Sequence, residues 1–177
     1  MRALVLLLTA GMFSVAAMRS ADAPAISSVP NIFNKYVVNT GQWPADVVAM
    51  KHVPGMNIWV TRTGWVYDHI GTWVDEGYRR GHATVVQFTA GSITAPCSGV
   101  SVRGVDTVLR AGGGSMILAD SVVRSFGPYD VVDYLYQAEA RYDVHCAVGA
   151  RVSDVALVMA GHTGTSVVDG DLVVHTP

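Results

Sequence analysis

The apolar segments of this chain are short, rich in Val, Ile, Thr and aromatic residues, and interrupted every few positions by Gly, Pro, Asn or Asp. Residues 39–70, NTGQWPADVVAMKHVPGMNIWVTRTGWVYDHI, show the pattern most clearly and hold three of the four tryptophans. Short β-branched segments bounded by turn formers are typical of β-strands. This punctuation leaves little room for helices and favours a strand-and-turn fold along the whole chain.

Several of these segments also alternate as half-buried strands do. Ile58 and Val60 are expected on one face of a strand, and Trp59 and Thr61 on the other. Gly170, between two aspartates, supplies the positive φ of a tight hairpin turn. The sequence therefore predicts a mainly β fold with a single antiparallel domain, either β-sandwich-like or a partly open barrel.

The N-terminal residues MRALVLLLTAGMFSVAAMRSADAPA have the features of a secretory signal peptide. Arg2 is the positive residue, residues 3–17 are the apolar region, and residues 21–23 (ADA) fit a cleavage site. The apolar region is shorter than the roughly 20 residues of a membrane-spanning helix. We expect a signal peptide over residues 1–23, no membrane span in the mature chain, and one β-rich domain over residues 24–177, located outside the cell or in the cell envelope.

Charge excludes one class of partner. The chain has 12 Lys+Arg and 14 Asp+Glu, and removal of residues 1–23 would leave 10 and 13, a formal charge of −3. An acidic domain without a basic cluster does not have the electrostatic character of a nucleic-acid-binding protein. We therefore expect no nucleic-acid partner.

Two cysteines, Cys97 and Cys146, would enter an oxidising compartment after export. They are candidates for a disulfide, with two separately buried thiols as the alternative, because sequence cannot show whether their Cα atoms lie within about 7 Å. Their spacing lacks the CxxC pattern of a metal site.

Catalytic patterns are absent from the sequence. The six histidines are scattered singly, and no HxxxH, GxSxG or phosphate-binding glycine motif occurs. Asp169 and Asp171 flank Gly170, but the rest of a calcium loop is missing. The sequence predicts no catalytic residues, no metal and no cofactor, and hence a protein that is not an enzyme.

Aromatic residues are the strongest candidates for ligand binding. They could stack on sugar rings or peptide side chains, although packing in the core of a β-domain is the favoured interpretation. The residues concerned are Trp43, Trp59, Trp65, Trp73 and Tyr67.

Three blocks, NTGQW, PGMNIWVTRTGWVYDHI and GHATVVQFTAGS, followed by the C-terminal block from GPYDVVDYLYQ to DLVVHTP, carry a family resemblance. They resemble the N-terminal β-rich domain of unknown function in bacterial secreted proteins with SBBP (β-propeller) repeats or gliding-motility-type sorting domains. The similarity covers residues 36–92 and 126–177. It implies an exported all-β module of a larger envelope protein, present here either as a fragment or as a short stand-alone version, and it carries over no catalytic residues.

Together these patterns predict a secreted or cell-surface, non-enzymatic interaction or structural module with a protein or cell-surface partner. A carbohydrate-binding module that takes a polysaccharide on exposed Trp and Tyr side chains is the alternative. A hydrolase is the third hypothesis.

Overall fold

The computed structural model describes residues 34–75, 78–89, 96–110, 113–137 and 139–177, and the side chains of residues 73–79 are not described. The predicted signal peptide, residues 1–23, lies outside the described residues. All described residues belong to one compact unit. No helix in these ranges is long and apolar enough to cross a membrane.

The described chain forms β-strands connected by turns and one short 3-10 turn at Val152–Asp154. The strands are β1 (Tyr36–Val38), β2 (Val47–Val53), β3 (Met56–Thr61), β4 (Gly64–Asp75), β5 (Tyr78–Phe88), β6 (Gly99–Arg103), β7 (Asp106–Leu109), β8 (Ser115–Ala119), β9 (Ser121–Phe126), β10 (Tyr129–Tyr136), β11 (Glu139–Cys146), β12 (Leu157–Ala160), β13 (Gly164–Val168) and β14 (Asp171–His175).

The strands pair antiparallel in three sheets. The large sheet has eight strands in the order β12-β5-β4-β3-β2-β1-β8-β7. The small sheet has four strands in the order β11-β10-β9-β6, and β13 pairs with β14 in a separate hairpin. The large sheet does not close into a barrel, so the predicted mainly β, antiparallel, sandwich-like fold is confirmed.

The core lies between the inner faces of the two larger sheets. On the large sheet, alternate residues such as Ile58, Val60 and Trp65 are buried, and on the small sheet Val122 and Val131 face them. This follows from the two-residue period of a strand, which sends every second side chain to the same face. The alternation of Ile58 and Val60 was thus readable in the sequence.

The small sheet is too narrow to cover the large one. Its edge strand β11 reaches β4, where Tyr142 packs on Trp65 with ring centroids 4.4 Å apart. Strands β5 and β12 lie beyond β4 in the large sheet. With neighbouring strands about 4.8 Å apart, four strands span about half the width of eight. Part of the inner face of β4, β5 and β12 is therefore left for other contacts.

Candidate functional site

A buried ion pair lies between the inner faces of the two larger sheets. Arg124 and Asp133 project from β9 and β10, and their side chains are 0% and 2% exposed with Nη2 and Oδ2 3.0 Å apart. Arg124 Nη1 also donates to the carbonyl oxygens of Thr61 at 2.7 Å and Gly64 at 2.9 Å. The guanidinium therefore ties the small sheet to the β3–β4 turn of the large sheet.

Trp65 completes this buried cluster. Its Nε1–H donates to Asp133 Oδ1 at 2.5 Å, and the guanidinium carbon of Arg124 lies 4.5 Å from the centroid of its ring. Burial raises the pKa of Asp133, although the charge of Arg124 and the hydrogen bonds from Trp65 and Arg124 act in the opposite direction. Burial likewise lowers the pKa of Arg124. Such a paired and hydrogen-bonded charge is a structural feature of the core.

The predicted aromatic binding residues do not form one surface. Trp65 is 2% exposed and belongs to the core. Trp43 and Trp59 are half-buried and meet edge to face, with centroids 5.1 Å apart and an interplanar angle of 88°. Two rings at right angles do not offer the common plane on which a sugar would stack. The side chain of Trp73 lies outside the described residues.

Trp43 also borders a cavity of about 400 Å³ with Asn39 and Arg62. Asn39 organises the loop below it: its Nδ2 donates to the carbonyl oxygens of Trp43, Pro44 and Val47 at 2.8–3.2 Å. These contacts explain the loop conformation of residues 39–47 and indicate no ligand.

The remaining candidate, Tyr67, lines a second cavity, an apolar cleft of about 400 Å³. The cleft is lined by side chains of β3, β4, β5 and β12 in the large sheet. Tyr142 of β11 and residues of β14 and its adjoining segment complete the lining. The lining residues are Met56, Tyr67, His69, Thr84, Val86, Tyr142, Leu157, Met159, Leu172, Val174 and Thr176.

The cleft follows directly from strand alternation and register. Tyr67 pairs with Thr84, and Val86 pairs with Met159, so side chains from three adjacent strands emerge on the same face. Leu157 and Met159 alternate in β12 with exposed Val158, which points to the outer face. Burial, with smaller contributions from Tyr142 and Asp133, raises the pKa of Tyr67 to about 12. A phenol in this environment stays protonated at neutral pH.

Thr84 is a buried polar residue in the lining of the cleft. It is 4% exposed, and its Oγ1 has no hydrogen-bond partner among the described residues. An unpaired buried hydroxyl costs about 1–3 kcal/mol, and the great majority of buried polar atoms in proteins are paired. A hydroxyl that can turn toward a cleft about the Cα–Cβ bond is suited to hydrogen-bond a bound molecule.

A third cavity, of about 460 Å³, adjoins this cleft and shares His69 and Thr176 with it. His69 of β4 and His82 of β5 are cross-strand partners whose rings stack with centroids 5.9 Å apart. Arg80, two residues before His82 on β5, borders the same cavity. The two histidines are scattered singly in the sequence, and their pairing depends on the register of β4 and β5.

The described residues include no group of three His, Cys, Asp or Glu side chains placed to hold a metal ion. His69 and His82 together provide two nitrogen ligands, fewer than the four of a structural zinc site or the three protein ligands of a catalytic one.

Cys97 and Cys146 are free thiols, the first half-buried and the second exposed. Cys146 lies on edge strand β11, and Cys97 lies just before β6 at the opposite edge of the small sheet. Three strand spacings of about 4.8 Å separate the two edges by about 14 Å, and a disulfide needs Cα atoms within about 7 Å. The candidate disulfide is therefore not formed in this fold.

No family model, no curated protein and no solved structure matches this chain. The resemblance to the N-terminal domain of SBBP-repeat proteins stays a prediction.

Sequence reasoning missed the buried ion pair of the core and the cleft, although each left a signal. Arg124 and Asp133 interrupt apolar strands at inward positions, in SVVRSF and VVDYLY. Leu157 and Met159 alternate within LVMA. Neither pattern predicts that the small sheet leaves the face with Leu157 and Met159 partly uncovered.

Proposed function

We propose that this protein is a non-enzymatic binding domain that takes an apolar group of a small-molecule ligand into the cleft between β12, Tyr142 and β14. The observation that carries the proposal is the buried Oγ1 of Thr84, which no described residue pairs, in the lining of an otherwise largely apolar cleft. Small-molecule sites are typically cavities of about 300–1,000 Å³ with apolar walls and a few placed polar groups. The cleft, at about 400 Å³, falls within that range.

The apolar side chains of the cleft supply the affinity in this proposal. Leu157, Met159 and Val86 form the floor, and Leu172 and Val174 come from the hairpin above it. Transfer of ligand surface from water to such walls is worth about 25 cal/mol per Å². Met56 and Met159 add adaptable shape, because an unbranched thioether fills irregular gaps. Thr84 then orients the ligand through one hydrogen bond.

Methionine methyl groups provide a direct test with decan-1-ol, a neutral apolar probe. The chain has seven methionines. Met56 and Met159 line the cleft, whereas Met50 pairs with Trp59 on the outer face and Met116 lies on β8. In protein labelled with ¹³C at the methionine methyls, decan-1-ol should shift the resonances of Met56 and Met159 and leave those of Met50 and Met116 unchanged.

Two adjacent substitutions on β12 form a matched pair for this test. Met159→Trp fills the cleft and should abolish the shift of Met56, whereas Val158→Trp places the same ring on the outer face and should leave it intact. A shift at Met50 instead of Met56, or an undiminished Met56 shift in Met159→Trp, would contradict the proposed site.

The cellular setting is part of the same proposal. The signal peptide predicted over residues 1–23 and the sequence resemblance both support an exported domain at the cell surface or in the envelope, where it would act as an interaction module. The carbohydrate alternative lacks support from the geometry, because Trp43 and Trp59 stand at right angles and Trp65 is buried.

A further inference from the structure

The cavity beside the cleft differs from it in charge. His69 and Thr176 border both cavities, so the two spaces are neighbours. The second cavity adds Arg80 and His82, whereas the first adds mainly aliphatic and aromatic side chains. Together they provide an apolar compartment next to a polar one.

The polar compartment contains one charged side chain among the described lining residues, Arg80. No Asp or Glu side chain is among those residues, while Pro177, the last residue of the sequence, borders the same cavity. Arg presents a planar set of N–H donors that matches a carboxylate, so Arg80 can hold an anionic group there.

The histidine pair adds hydrogen-bond donors to this compartment. His82 Nε2 is buried and has no hydrogen-bond partner in the part of the chain that the structure describes, and the ring stacks against His69. An imidazole N–H can donate to an anionic oxygen. With two nitrogen ligands and an arginine nearby, the pair is better suited to an anion than to a metal cation, which Arg80 would repel.

Backbone geometry holds Arg80 at this place. The pairing of β4 with β5 shifts register between Ile70 and Trp73. Within that shift Gly71 lies so close to Arg80 that a Cβ atom on Gly71 would overlap the Arg80 carbonyl oxygen. Irregularities of this kind re-aim side chains and are common beside binding sites. The glycine thus allows the strand approach that brings Arg80 to the cavity.

From this arrangement we propose that the ligand is an amphipathic anion, with its largely apolar part in the cleft and its carboxylate at Arg80, His69 and His82. Thr84 would hydrogen-bond a polar atom of the part in the cleft, and a medium-chain carboxylate is the simplest probe of this class. This inference rests on the proposed function, because it assigns the head group of a ligand whose apolar part occupies that cleft.

The test compares decanoate with decan-1-ol, two probes of equal chain length that differ in the head group. Titrations followed by the Met56 and Met159 methyl shifts give both dissociation constants. We expect decanoate to bind about tenfold more tightly, since hydrogen bonds to charged groups are the stronger ones. Arg80→Gln should remove about that tenfold preference and leave decan-1-ol binding within twofold of the unmodified protein.

Arg62→Gln is the charge-matched control. Arg62 is exposed and borders the separate cavity beside Trp43, so its loss changes the net charge equally without touching this site. Decanoate binding should be unchanged in that variant. His82→Gln serves as a second probe of the head-group site and should weaken decanoate more than decan-1-ol.

The outcomes separate the two proposals. Equal binding of both probes, with shifts at Met56 and Met159, would overturn the anionic head group and keep the cleft as an apolar site. A preference for decanoate that survives Arg80→Gln would overturn the assignment of the head group to this cavity. Shifts with neither probe would overturn the proposed function, and with it the head group.

Discussion

Replacement of Arg124 by methionine tests the central contact of the fold. Arg124→Met removes the ion pair with Asp133 and the hydrogen bonds to the carbonyl oxygens of Thr61 and Gly64. Methionine keeps an apolar chain in the space. Asp133 remains buried with a single hydrogen bond, from Trp65.

The expected loss of stability follows from the buried polar groups that lose their partners in Arg124→Met. Two buried carbonyl oxygens lose a donor, and each costs about 1 kcal/mol or more. The carboxyl of Asp133 loses its counter-ion, and breaking one side of a buried pair typically costs about 3–5 kcal/mol in all. We therefore expect the free energy of unfolding to fall by about 3–5 kcal/mol. With a urea m-value of about 2 kcal/mol/M, the midpoint falls by about 2 M.

Loss of Arg124 should also make stability depend on pH. Burial already raises the pKa of Asp133, and Arg124 is one of the groups that oppose the rise. Without it the folded pKa rises further above the unfolded value of about 3.9. A raised carboxyl pKa means that the folded state holds the proton of Asp133 more tightly than the unfolded state does. The contribution of Asp133 to the free energy of unfolding is therefore greatest at acid pH and is lost as pH increases through the folded pKa. The deficit of Arg124→Met relative to the unmodified protein should thus be larger at pH 8 than at pH 5.

Urea unfolding followed by circular dichroism and tryptophan fluorescence measures both effects. Arg141→Met is the control, because Arg141 makes a comparable carboxylate contact with Glu139 at 2.9 Å and lies 4.7 Å from the ring of Tyr136, but is half-exposed. An exposed pair is worth about 0–1 kcal/mol. The double variant Arg124→Met with Asp133→Leu should recover part of the loss, since no buried charge remains. If Arg124→Met and Arg141→Met cost the same, the buried pair does not tie the sheets together as described.

Two further predictions concern single side chains. Both cysteines should react with a thiol reagent in the folded protein without prior reduction, Cys146 rapidly and half-buried Cys97 more slowly, and a folded protein that yields no free thiol would contradict the separation of the two sheet edges. Absorbance at 295 nm should show Tyr67 ionising near pH 12 and not near 10; because the unfolded phenol ionises first, stability should decline between about pH 10 and 12, and Tyr67→Phe should lessen that decline.

The local pattern of the sequence accounts for the strands with clear alternation. NIWVT became β3 with Ile58 and Val60 buried, and the hairpin around Gly170 formed with a positive φ of 92°. Both depend on neighbours in sequence, through the two-residue period of strands and the conformational freedom of glycine.

Strand boundaries that depend on pairing with another strand are harder to predict from the sequence. The segment SMILADSVVRS, residues 115–125, has the composition of a single strand, yet the chain turns at Asp120 and divides it into β8 of the large sheet and β9 of the small one. β5 begins at Tyr78, in a charged and glycine-containing stretch, because pairing with β4 extends it. In each case tertiary pairing overrides a weak local preference.

The sequence by itself determined the class of fold, because period-two alternation and turn residues act over a few neighbouring positions. The sequence also contains the apolar residues that line the cleft and the charged residues of the core, but it does not show how they are arranged. Only the tertiary structure decided that Trp65 is buried and the two cysteines lie at opposite sheet edges. It alone paired His69 with His82 and left part of the inner face of the large sheet uncovered by the small sheet. These outcomes depend on sheet order and on the unequal widths of two sheets, and both are set by contacts between residues far apart in the chain.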